Sequence, residues 1–72
     1  MSPNMKSVYS SNVDSIGYDS ETSELYVVWR SSQKTSIYSG VPLDVAVETM
    51  NAFSVGQAIR LNIKGVYEHR YA

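Results

Sequence analysis

The stretch SIYSGVPLDVAVETMNAFSVGQAIRLNIKG, Ser36 to Gly65, decides the fold. It reads as the end of a strand, a turn, one helix, a capped break and a second helix. Val41-Pro42 marks the passage from sheet to helix, because proline fixes φ and suits the first helical position, where its missing N–H costs nothing. Between Pro42 and Asn51, the residues Leu43, Ala46, Val47 and Met50 fall at the spacing of a packed helix stripe. Asp44 lies in the first turn, where a negative charge complements the helix dipole. The second helix opens at Ser54 with Gln57 three residues later, a capping-box pattern. Val55, Ile59 and Ile63 share its stripe, and Gly65 stands where a left-handed residue is wanted at the helix end.

Upstream of this stretch the chain reads as strands. The segment NVDSIGY, Asn12–Tyr18, is a weak one in which Ile16 and Tyr18 share a face. Asp19 and Ser20 then offer turn chemistry. ELYVVWR, Glu24–Arg30, is the strongest strand, with Leu25, Val27 and Trp29 on one side and Tyr26, Val28 and Arg30 on the other. Ser31-Ser32-Gln33 is a turn without glycine, and KTSIYS, Lys34–Ser39, is a third, more polar strand. The tail VYEHRYA alternates and adds a fourth strand or covers a core edge. The expected fold is therefore α+β, an antiparallel meander of three or four strands followed by two helices packed on one face. Leu25, Val27 and Trp29 are expected to face Val47, Met50, Ile59 and Ile63. Residues 1–10 read as a loosely ordered lead-in to a single domain over 11–72.

Composition narrows the function classes. At 72 residues the chain buries only about 60% of its unfolded surface. Domains below roughly 70–80 residues usually lean on disulfides, metals or partners. The chain has no cysteine and one histidine, so neither a disulfide nor a thiolate zinc site is available and no metal or other cofactor is expected. Oligomerisation is the support that remains. A homo-oligomer is expected, most simply a two-fold dimer covering Tyr26 and Val28. The formal net charge is −1, yet the charges are unevenly spread: Asp14, Asp19, Glu21 and Glu24 come early, while Arg60, Lys64 and Arg70 dominate after Ser54. That division is either ordinary scatter or the source of two electrostatic faces. No apolar run is long enough to span a membrane, and the opening MSPNMKSVYSSN has no apolar signal core. The expected compartment is the cytoplasm.

Laid out in this way, the chain resembles the KTSC domain family, a domain of about this size found at the C-terminus of some lysyl-tRNA synthetases and as a stand-alone bacterial or phage protein. The matching pieces are SSNVDSIGYD, the strand ELYVVW, Tyr38 with Ser39-Gly40-Val41-Pro42, Ala52 with Ser54 and Gly56, and IKGVY from Ile63 to Tyr67. Tyr38, Gly40, Pro42 and Gly65 carry the family motif. The resemblance implies RNA binding as an expectation. Two departures bear on it. The family's central pair of tyrosines falls here on Ser36 and Tyr38, so the first aromatic is absent. Ala58 and Arg60 stand at what read as the aromatic and asparagine positions of the segment after Ser54.

No catalytic apparatus is legible. His69 lies near the terminus between Glu68 and Arg70, and no nucleophile elbow, Walker loop or metal-ligand spacing occurs; an enzyme is not expected. Two binding features are. At the opening of the second helix, Ser54 and Gly56 either cap and relieve crowding or present free N–H groups to an anion. Arg60, Lys64, Tyr67, His69 and Arg70, with Tyr71, form a basic and aromatic surface if the tail folds beside that helix. The leading expectation is a non-catalytic module for a phosphate-bearing ligand, RNA or a nucleotide. The alternative is a phage-type protein-interaction module that self-assembles and masks a partner protein.

Overall fold

The structure, a computed structural model, describes residues 4–72. Strands β1 (Lys6–Ser7), β2 (Val13–Asp19), β3 (Glu24–Trp29) and β4 (Thr35–Ser39) follow one another. Helices α1 (Leu43–Met50) and α2 (Val55–Asn62) come next, and β5 (Glu68–Tyr71) closes the chain. All neighbours pair antiparallel in the order β1-β2-β3-β4-β5. The α+β fold with both helices after a meander is as the sequence indicates, but the sheet has five strands. The tail takes the strand alternative, pairing Ser36 with Tyr71 and Tyr38 with His69. The fifth strand comes from the lead-in: Lys6 pairs with Ile16 and Ser7 with Ser15. Of that lead-in, residues 1–3 lie outside the described residues.

Alternation puts Leu25 and Val27 on the helix-covered face, both fully buried, with Trp29 packed against the same core. A bulge at Asp14 lets β2 contribute Val13 and Ile16, three apart, to that one face. On the opposite face Gly17, Tyr26, Ile37 and Arg70 form a cross-strand row. Ile37 is only 5% exposed between its neighbours, and Tyr26 and Val28 are half-buried within the single chain. The segment before β1 crosses Gly17 so closely that a Cβ there would lie 2.8 Å from the Asn4 carbonyl oxygen and from Met5 Sδ.

Gly40 turns the chain out of β4 with φ +73. Val41 is then buried, its N–H donating to the Ser23 carbonyl at 2.9 Å and its own carbonyl accepting from the Tyr18 hydroxyl. Pro42 is the N-cap of α1, one residue before the helix proper. The inward face of α1 is Ala46 and Thr49, flanked by Val45 and Met50, whereas Leu43 and Val47 are 59% and 43% exposed. The apolar stripe read from sequence is thus turned around the helix. Thr49 explains why: its hydroxyl donates to the Val45 carbonyl at 2.8 Å, so a residue that reads as polar is buried with its donor satisfied. In α2 the expected stripe holds, with Val55, Ile59 and Ile63 buried. Ser54 Oγ accepts from the Gln57 N–H as its cap, and Gly65 has φ +82 in the turn beyond. No described helix is long and apolar enough to cross a membrane.

These burial differences have a direct test. Leu25→Ala should lower the unfolding free energy by about 2–5 kcal/mol. Val47→Ala, on the exposed side of α1, should change it by about 0.5 kcal/mol. Urea melts of the two variants check both values.

Candidate functional site

Because α2 and its C-cap bury Val55, Ile59 and Ile63, the neighbouring residues at fourfold spacing, Gly56 and Arg60 on the helix and Lys64 in the turn just beyond it, run along the rim of the core. Facing it is the loop Tyr9–Asn12. Between them lies an open cleft of about 510 Å³, floored by Trp29 and Ile59. The loop is held from two sides. Ser10 Oγ accepts from the N–H groups of Asn12 and Val13, each at 3.2 Å. The Arg30 guanidinium donates to the carbonyls of Val8, Ser10 and Val13 and to the Asp14 carboxylate, all at 3.0–3.2 Å. Tyr9 and Phe53 line the cleft with their rings fully exposed.

Two smaller hollows continue it, and both share Trp29 and Lys64 with the cleft. One, of about 310 Å³, adds Ser31, Ser32, Lys34 and Tyr71. The other, of about 180 Å³, is bounded by Ser36, Tyr38, Gly65, His69 and Tyr71. At its base the Trp29 indole N–H donates to Ser36 Oγ at 2.6 Å, and His69 Nε2 is hydrogen-bonded to the same oxygen at 2.9 Å. The His69 ring centre lies 5.0 Å from that of Tyr38 and 4.7 Å from that of Tyr71. Lys34 Nζ sits 5.6 Å from the Tyr71 ring centre, a cation over an aromatic face. Burial of Tyr38 raises its phenol pKa above the usual range.

Not one Asp or Glu lines any of the three hollows, although the chain has seven. Arg60, Lys64 and Lys34 do line them, and among the described residues none of the three makes an ion pair. The uneven charge seen in the sequence is therefore resolved in space into a carboxylate-free face. It gathers Arg60, Lys64, His69, Ser54 and Gly56 as the sequence suggested. Two expected members are elsewhere. Arg70 alternates to the other face of the sheet, where it donates to Glu24 Oε2 at 2.6 Å and to Ser39 Oγ at 3.0 Å. Tyr67 packs beside Val45 and Thr49, behind α1. Ser54 and Gly56 are in the cleft with other work: the Ser54 hydroxyl caps Gln57, and a Cβ on Gly56 would meet Ser10 Oγ at 3.2 Å. The absence of a side chain at Gly56 lets the loop approach α2 closely. Sequence reasoning missed Tyr9, Phe53, Lys34 and the second role of Trp29. For Phe53 a signal existed, since a lone aromatic in the break between helices belongs to neither apolar stripe.

The architecture defines a small α+β domain whose helices cover one sheet face and leave a basic, aromatic hollow along their edge. The chain belongs to the KTSC domain family, whose model matches residues 9–67. It is similar to a KTSC domain protein from Yersinia pestis, whose crystal structure superposes with a TM-score of 0.91 at 32% identity, covering 99% of each chain. No curated protein matches it.

The Arg70 placement gives a pH prediction. The hydrogen bond from Arg70 holds the Glu24 carboxyl below its ordinary range. A depressed carboxylate contributes stability above its unfolded pKa, and that contribution is lost as pH falls through its folded value. Arg70→Ala should therefore return Glu24 upward in a carbon-detected NMR titration and remove this part of the acid dependence of unfolding.

Proposed function

We propose that this domain is a non-catalytic binding module for a phosphate-bearing ligand, RNA or a nucleotide, held on the face that Arg60, Lys64 and Lys34 share with Trp29, Tyr9 and Phe53. The single observation that carries the reading is the composition of that face. Three cations without carboxylate partners stand among exposed or half-exposed aromatic rings, across hollows that contain no acid. Cations that track a phosphate backbone beside rings on which bases stack are the requirement for binding single-stranded nucleic acid. Arg60 supplies a planar, permanently charged donor able to grip a phosphate through two hydrogen bonds. The overall charge of −1 does not oppose this, because none of the seven carboxylates lines the three hollows.

Nucleophilic catalysis fits the same residues poorly. Ser36 and His69 are within hydrogen-bond reach, but Ser36 is 1% exposed and its oxygen already accepts the Trp29 N–H. Among the described residues no carboxylate is hydrogen-bonded to His69 to orient it as a base.

Fluorescence anisotropy with a labelled single-stranded RNA, read at several salt concentrations, tests the proposal. Arg60→Ala and Lys64→Ala should each weaken binding about tenfold, as loss of a charged hydrogen bond of roughly 1.5–3 kcal/mol requires. Each should also reduce the salt slope by about 0.7. Arg70→Ala, on the far face, should leave affinity unchanged. Absence of binding to RNA, DNA or nucleotides at low salt would overturn the reading in favour of a protein partner.

A further inference from the structure

The smallest of the three hollows has a distinct chemistry, and it exists because residue 36 is small. On the helix-covered face of β4 the side chains are Ser36 and Tyr38. The serine leaves open the space between Trp29 and the His69 and Tyr71 rings of the adjoining edge strand. At about 180 Å³ the opening falls below the roughly 300–1,000 Å³ of sites that enclose a drug-sized ligand. It suits one planar ring system and not a whole nucleotide. Its walls are aromatic, and Lys64 stands on the rim it shares with the larger cleft. Lys34 lies over Tyr71 at the outer side.

We propose that this hollow is a base-stacking subsite, in which one unstacked nucleobase of a bound single strand inserts against Trp29, His69 and Tyr71 while its phosphates stay outside on Lys64 and Lys34. The assignment rests on the phosphate-ligand reading above and adds to it where a base goes and how it is read. Ser36 Oγ, the polar atom at the base of the hollow, is already occupied by Trp29 and His69. Stacking rather than hydrogen bonding to a base edge is what the subsite offers, and stacking is tolerant of base identity. The subsite therefore selects for the presence of a base and only weakly for which base it is.

An abasic scan separates the two proposals. An eight-nucleotide single-stranded RNA is made in versions that lack one base at each position in turn, so that every phosphate is kept. With the unaltered protein, one position should lose about tenfold in affinity when its base is removed. In Tyr71→Ala, at the exposed edge strand, and in Ser36→Tyr, which fills the hollow, the intact RNA should already bind about tenfold more weakly. Removing the same base should then cost nothing further, as expected for two changes that delete one interaction. Ser36→Tyr alters a buried position, so Tyr71→Ala carries the test if the former does not fold. If the unaltered protein binds and both Tyr71→Ala and any folded Ser36→Tyr show the same abasic profile as it does, the subsite is refuted while the cleft reading stands. If the unaltered protein binds no RNA, DNA or nucleotide, both fall.

Discussion

One guanidinium fixes how the first part of the chain meets the rest. Arg30, just beyond β3, donates to the carbonyls of Val8, Ser10 and Val13 and to the Asp14 carboxylate. Its backbone N–H also donates to the Asn12 carbonyl at 2.8 Å. A planar fork with five donors can serve several acceptors at once, which a lysine could not do. The partners it gathers lie at a β-bulge and in the loop before it, where the regular ladder is interrupted. The Arg30–Asp14 pair itself is largely exposed and contributes little alone. Its consequence is geometric. It holds the Tyr9–Asn12 loop against α2, and that loop is one wall of the cleft.

The bulge has a second consequence, for the core. Regular alternation would send Val13 and Ile16 to opposite faces; the extra residue at Asp14 brings both to the helix side. Asp14 turns outward to meet Arg30, so the irregularity that completes the core also supplies the clamp's anion. Position 36 plays a comparable part at the other end of the sheet. A small side chain there leaves Trp29 without full cover, and the indole N–H finds its acceptor in the serine hydroxyl. The hollow is thereby polar at its base and aromatic at its walls.

Local chemistry made much of this fold legible in the chain itself. The alternation of ELYVVW fixed which face is buried, Val41-Pro42 marked the passage into α1, and Ser54 with Ile59 and Ile63 placed α2. Arg60 and Lys64, four residues apart, were recognisable as members of one basic surface because position along a helix determines face. Each of these rests on neighbours within a few residues, where propensity and periodicity act. The buried side of α1 was not legible in this way. Thr49 is inside because its own helix satisfies its hydroxyl, and Leu43 and Val47 are outside because the sheet meets the helix on the side of Ala46.

What tertiary structure alone decided is which distant residues share a surface. Arg70 reads as part of a basic tail, but pairing with β4 turns it to the open face, where Glu24, 46 residues earlier, holds it. Lys34 and Tyr71 are far apart in sequence and meet because β5 lies beside β4. Tyr9 belongs to a segment that reads as a lead-in, yet it faces α2 because Arg30 anchors the backbone on either side of it. Strand order and loop anchoring are long-range choices, made by burial and by the pairing of backbone groups across the sheet. The sequence by itself therefore determined the elements, most of their buried faces and the cations on and just after α2. Only the packing of β5 and the Tyr9–Asn12 loop against that helix determined which aromatics stand beside those cations.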